Sequence, residues 1–322
     1  MSVQPNRAPG LRPEGAPTRA RRESSKRPEM MTASTGAPPR AQLWAAYAVL
    51  YLVWGSTYLA MKTAVTTLPP FSTAALRFVF SGLLLVVLGR VFHKAPINRH
   101  HLKAAVAQGL LLLVCGNAAV MWAMQTVPSG VGALIIAVTP LFFAIFSRDF
   151  RLATWVGLVL GTLGVFILVD PFSSQAATPP AGVLLLVFAS AAWALGSLVP
   201  RVLPPHPSNA TATGLQMLVG AIVQFGLATA MGEHIVLAQT TSTSWLALLY
   251  LAIFGSLLGF TCYGWLLKVE PASRVATYAY VNPVVAVVLG TAVGGEELSA
   301  RVLLAAAVIV AAVVLILGSR RT

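Results

Sequence analysis

Ten apolar runs, each close to the length of a bilayer-spanning helix, most constrain what this chain can fold into. A hydrocarbon core about 30 Å thick takes roughly 20 apolar residues of α-helix. By that ruler the runs are 42–62, 71–90, 104–124, 129–147, 152–169, 181–199, 211–230, 244–266, 273–293 and 301–318. Short separators with strong helix breakers divide them, among them Leu68-Pro69-Pro70, Val127-Pro128-Ser129, Asp170-Pro171, the stretch from Leu203 to Pro207, and Gly294-Gly295. Of the 322 residues 57% are hydrophobic and only 10% charged. A soluble domain carries about 25% charged residues, so lipid must be the solvent for most of this chain. The fold class that follows is an all-α membrane protein of ten transmembrane helices.

The net charge of +13 does not point to nucleic acid, because eight of the 22 Lys and Arg residues lie in the first 41 residues. Residues 1–41 are rich in Pro, Ser and Ala and have no apolar run to bury, so they read as a disordered basic tail. Orientation follows from the remaining Lys and Arg. With the N-terminus inside, the cytoplasmic segments collect the tail together with Arg90, Lys94, Arg99, Lys103, Arg148, Arg151, Arg201, Lys268, Arg274, Arg320 and Arg321. The opposite side holds Lys62 and Arg301, and Arg77 stays within a span. Both termini are therefore expected in the cytoplasm, which requires an even number of crossings. A bacterial inner membrane is the expected location.

The chain also repeats itself. An offset of 143 residues carries Gly116 to Gly259, Trp122 to Trp265, Pro128 to Pro271, Ala133 to Ala276, Val138 to Val281 and Pro140 to Pro283. An earlier pair of matches, Trp54 with Trp193 and Arg77 with Gln216, keeps an offset of 139. Each half then holds five spans, 42–170 and 181–318. An odd number of crossings turns the second half over, so the expected architecture is two inverted five-helix repeats. That design suits alternating access in secondary transporters.

Residues Trp54 through Lys62, Ala75-Leu76-Arg77-Phe78, Ala133 through Thr139-Pro140, and Ala276 through Asn282-Pro283 resemble the tandem EamA domains of the drug/metabolite transporter superfamily. The resemblance covers about residues 42–318 and rests on the order and duplication of the motifs. It implies a ten-helix bundle around a central cavity that exports metabolites, amino acids or drugs. The connection Ser147-Arg148-Asp149-Phe150-Arg151 departs from the family, whose members often carry an acidic residue there.

Candidate substrate residues are the polar, aromatic and helix-breaking groups at depth. Arg77 is the one ionisable side chain inside a span and away from its ends, where a charge costs roughly 2.5–3.5 kcal/mol on insertion scales. It either faces a cavity, where it would attract a carboxylate, or snorkels toward the outer face. Asn117, Asn282 and Gln216 each need a partner at depth, a neighbouring helix or a ligand. Pro140 and Pro283, near the middle of spans four and nine, each remove a donor and free a carbonyl near Ile136 and Ala279, making a substrate-lining break or a packing kink. Trp54, Tyr58, Trp122, Trp193, Tyr263 and Tyr280 complete the set as walls of an amphipathic pocket. Cys115 and Cys262 lack metal-ligand spacing and read as packing residues.

No cofactor or metal is implied, and the partners are the bilayer and a small-molecule substrate. All five histidines and the membrane-proximal carboxylates fall in loops, so an embedded enzyme lacks converging chemistry. Neither a charge ring nor a carbonyl filter suggests a channel. A membrane scaffold or receptor without transport is the alternative. With no Asp, Glu or His inside a span, transport is expected to run without a buried carboxylate relay.

Overall fold

The computed structural model describes residues 39–123, 125–127, 135–148, 151–169, 180–294 and 300–318, together with Met1. The repeat anchors Pro128 and Ala133, the loop residues Asp149, Asp170, Glu296 and Glu297, and nearly all of the basic tail lie outside these described residues. Among the described residues the chain is helical and has no strand.

Helix α1 is Arg40–Ala64 and α2 is Pro70–Phe92. Pro70 stands in the first turn of α2, where a missing N–H costs nothing and a fixed φ helps. Helix α3 runs Arg99–Ala123 and opens with a reciprocal cap: the Asn98 side chain accepts from the His101 backbone N–H, and the His101 ring accepts from that of Asn98. Helix α4 is Thr139–Ser147 and α5 is Leu152–Val169. Helix α6, Pro180–Leu198, ends in a 3₁₀ turn at Val199–Arg201. Ser208 caps α7, Asn209–Ala230, and Thr241 caps α8, Ser242–Val269. A one-turn helix, Ala272–Val275, precedes α9, Tyr278–Gly294, and α10 is Ala300–Gly318. Six of these, α1, α2, α3, α6 with its 3₁₀ turn, α7 and α8, are long and apolar enough to cross a membrane.

The helices pair closely. Helix α2 lies along α7 and α5 along α10, while α1 packs on α8 and α9, and α6 packs on α3 and α4. Small residues permit this. A methyl group at Gly214 would sit 2.8 Å from the Gly82 carbonyl oxygen, so the α2–α7 crossing is a backbone approach no larger residue could keep.

Two stretches break the α-helical pattern without ending the helix. Gly109–Ala118 in α3 and Leu251–Leu258 in α8 are π-helical, with i→i+5 hydrogen bonding that widens the turn. Carbonyls in both stretches bond side chains of other helices. Leu113 accepts from Gln224 Nε2 at 3.1 Å, Ala252 from Ser81 Oγ at 2.8 Å and Gly255 from Trp54 Nε1 at 3.1 Å.

Pro140 sits differently from the mid-helix break expected of it, whereas Pro283 lies within a helix. The chain turns at 137–138, and Pro140 follows in the first turn of α4, where a missing N–H breaks nothing. The Ile136 carbonyl accepts from Thr139 Oγ1 at 2.6 Å. In the second half the turn is at 276–277, and Pro283 lies inside α9 rather than at the break.

Candidate functional site

Helical spacing converges on one cavity. Helix α1 offers Trp54, Thr57, Tyr58 and Met61, three and four residues apart and therefore on one face. Helix α2 adds Arg77, α3 adds Gly116, Asn117 and Val120, and the turn into α4 adds Ile136 and Thr139. Helix α6 brings Ala189, Ser190 and Trp193, α8 brings Phe260, and α9 brings Tyr278 and Asn282. The space measures about 70 Å³, and a single water needs roughly 10–15 Å³ on this measure. Several waters or a small polar solute fit it as it stands.

Arg77 is 2% exposed. Its Nε donates to Ser256 Oγ at 2.5 Å, in the π-helical stretch of α8, and its guanidinium carbon lies 4.9 Å from the centre of the Phe78 ring. Nη1 is buried with no hydrogen-bond partner. No carboxylate among the described residues pairs with it: Glu233 accepts from the backbone N–H groups of Phe71 and Ser72, and Glu270 pairs with Arg274. The snorkelling alternative does not fit a guanidinium with its charge turned inward against α8.

Three more cavity residues hold unsatisfied buried atoms, Asn117 Oδ1, Asn282 Oδ1 and Ser190 Oγ. Buried polar atoms in native proteins nearly always find partners, so four orphans around one space mark it as polar and ligand-ready. An unpaired cation and unpaired amide oxygens together complement a solute carrying both an anionic and a donor group.

An aromatic layer closes one side. The Trp54 ring centre lies 5.5 Å from that of Trp193, 5.3 Å from Phe260, 5.0 Å from Tyr263 and 4.9 Å from Tyr278, mostly edge to face. Trp193 Nε1 donates to the Tyr263 hydroxyl at 3.0 Å, and that hydroxyl also meets Ser197 Oγ. The polar ends of Trp54, Trp193 and Tyr263 are thus held.

Of the residues singled out from sequence, Arg77, Trp54, Tyr58, Asn117, Trp193 and Asn282 meet at this cavity. Tyr263 stands one layer behind, against a separate small space that also touches Gln216. Tyr280 lies elsewhere, packed with Leu158, Ala305 and Ile309 and donating to the Leu158 carbonyl at 3.2 Å. Trp122 is 45% exposed, and neither Pro140 nor Pro283 lines the cavity. Thr57, Met61, Thr139, Ser190, Phe260 and Tyr278 were not among the candidates read from sequence. Same-face spacing from Trp54 and from Trp193 would have found Thr57, Met61 and Ser190.

The EamA-like transporter family matches residues 40–170 and again 180–318. The inner membrane transporter YedA of Escherichia coli is 39% identical over 280 residues, covering 85% of this chain and 90% of that protein. A protein of Salmonella typhimurium described as a probable amino-acid metabolite efflux pump is 26% identical over 276 residues, covering 80% of this chain and 90% of its own length. One solved crystal structure superposes with a TM-score of 0.70 at 20% identity, over 86% of this chain and 96% of that one.

Proposed function

We propose, from the premise that this chain belongs to the EamA-like transporter family, that it exports small carboxylate-bearing metabolites such as amino acids. It is a membrane-spanning transporter by family and not an enzyme. In this reading it spans a bacterial inner membrane ten times, both termini are cytoplasmic, and two inverted repeats alternate access to the Arg77 cavity.

One observation carries the substrate class: a buried guanidinium at a cavity with one hydrogen bond to protein, an orphan Nη1 and no described carboxylate nearby. A carboxylate in the cavity would take up the unused donors. Asn117 and Asn282 would take the ammonium or other donor at its far side. The Salmonella relative's description supports an amino-acid-like cargo.

The pairing of helices supports the inverted repeat. Exchanging the halves turns α1 on α9 into α6 on α4, α1 on α8 into α6 on α3, and α2 on α8 into α7 on α3. The pairs α2–α7 and α5–α10 map onto themselves, as expected of helices beside a two-fold axis. Such a molecule has two conformations related by that two-fold rotation and of nearly equal energy, one open to each side.

The test is export from inverted or reconstituted vesicles, comparing amino acids with their amides and with cationic amines. Movement of amino acids but not of the amides supports the reading. Equal movement of the amides sinks the carboxylate assignment, and no movement of any solute by a folded protein favours a scaffold or receptor.

A further inference from the structure

A second polar space lies behind the aromatic layer. Gln108, in the third turn of α3, is 7% exposed, and Gln216, two turns into α7, is 6% exposed. Neither amide bonds any described residue, whereas Gln224, two turns further along α7, donates to the Leu113 carbonyl. Mostly buried residues whose amides have no protein partner leave donors and acceptors open to whatever fills the space they line. Both line a cavity of about 50 Å³ with Asn209, Thr213, Tyr263 and Lys268. No carboxylate among the described residues is in that lining.

This cavity shares Pro200, Leu267 and Lys268 with a wider one of about 210 Å³ that also touches Arg201 and Glu270. The Glu270 carboxylate is tied to Arg274 at 3.2 Å, while Arg201 and Lys268 pair with no described carboxylate. The mouth is therefore electropositive. Tyr263 is the partition: it touches the inner space, and its hydroxyl is bonded by Trp193, which lines the Arg77 cavity.

We propose that the Gln108–Gln216 space is a loading site for the carboxylate end of a small solute. Lys268 and Arg201 draw the anion in, and the two amides bond it before it passes Tyr263. At roughly 10–15 Å³ per water-sized unit the space takes a group of propionate size and not a whole bulky cargo. Neutral amides suit a staging role, because they hold a carboxylate more weakly than a guanidinium does. Gln216 is also the residue that the 139-residue offset pairs with Arg77, so the two halves place a weak site on one side of the aromatic layer and a charged one on the other. The site's place in a transport cycle rests on the exporter reading; its occupancy does not.

The experiment reads occupancy without transport. The full chain with Cys115→Ala, Cys262→Ala and Leu267→Cys is placed in nanodiscs, and Leu267→Cys is labelled with sulfonatoethyl or trimethylammonioethyl methanethiosulfonate. The anionic reagent reacts faster, and propionate slows labelling as 1/(1 + [L]/Kd), about twofold at its Kd. Propionamide does not. Gln216→Leu removes the protection. Lys268→Gln, at an exposed position that folding tolerates, cuts the anionic reagent's advantage. Equal protection by propionamide, no protection by propionate, or no charge preference overturns the site. Propionate protection in a protein that exports nothing keeps the site and sinks the exporter reading. Export of amino acids without protection does the reverse.

Discussion

Arg77→Gln separates a functional guanidinium from a structural one, because the two roles predict opposite pairs of results. Placing the charge at depth costs roughly 2.5–3.5 kcal/mol on insertion scales. Against it stand one charge-assisted hydrogen bond to Ser256, about 1.5–3 kcal/mol, and a cation–π contact with Phe78, about 0.5–2 kcal/mol. The terms nearly cancel, so Gln at this position should change folding stability by no more than about 1 kcal/mol. A bound carboxylate, by contrast, loses its charge-assisted partner. That loss is about 1.5–3 kcal/mol, or roughly ten- to a hundredfold in KM for export. The assays are thermal unfolding in detergent and export from reconstituted vesicles. A variant that is markedly destabilised yet retains the native KM refutes the reasoning and makes Arg77 a structural residue.

Gly259→Ala puts a methyl 2.3 Å from Trp54 Nε1, forcing the indole off its bond to the Gly255 carbonyl and toward the cavity. We expect a loss of about 1–3 kcal/mol in stability and a collapse of export, partly restored by Trp54→Phe in the double mutant; unchanged melting and export would contradict the geometry. Glu233 accepts from the backbone N–H groups of Phe71 and Ser72 and from Ser72 Oγ at the start of α2. Glu233→Gln should therefore cost about 0.5–2 kcal/mol of stability and leave KM alone, as measured by melting and export side by side. Among the described residues no Asp, Glu or His lines the Arg77 cavity. Export is accordingly expected to survive Glu233→Gln and Glu270→Gln with its driving force unchanged, and strict proton dependence abolished by either substitution would overturn that.

Hydropathy located the six helices long enough to cross a membrane because burial in lipid acts on every residue of a span, and an error of a few residues at each end leaves the pattern intact. The extra turn at the start of α3 was hidden because His100, His101 and Lys103 are polar, yet the Asn98–His101 cap holds them in helix. Arg77, Asn117 and Asn282 were legible because a polar group at depth needs a reason. Trp122 and Tyr280 fall away from the Arg77 cavity because depth says nothing about direction around the helix: one ring faces outward and the other packs toward α5 and α10. Thr57 and Ser190 were missed because small hydroxyl residues are common in packed membrane helices. The π-helical stretches left no mark, since neither contains proline and both read as ordinary, mostly apolar membrane helix.

Those two stretches also bear on ancestry. A widened turn is rare and poorly stable in itself, and this chain carries one in each half. The 143-residue offset takes Gly109 to Ala252 and Gly116 to Gly259, so the stretches correspond, and one family description fits each half in turn. Two independent origins at matching places are a less economical history than one inheritance. The irregularity then belonged to a half-length ancestor before its gene was doubled. Few side chains match between the two stretches, so what the halves share there is the widened backbone more than any residue on it.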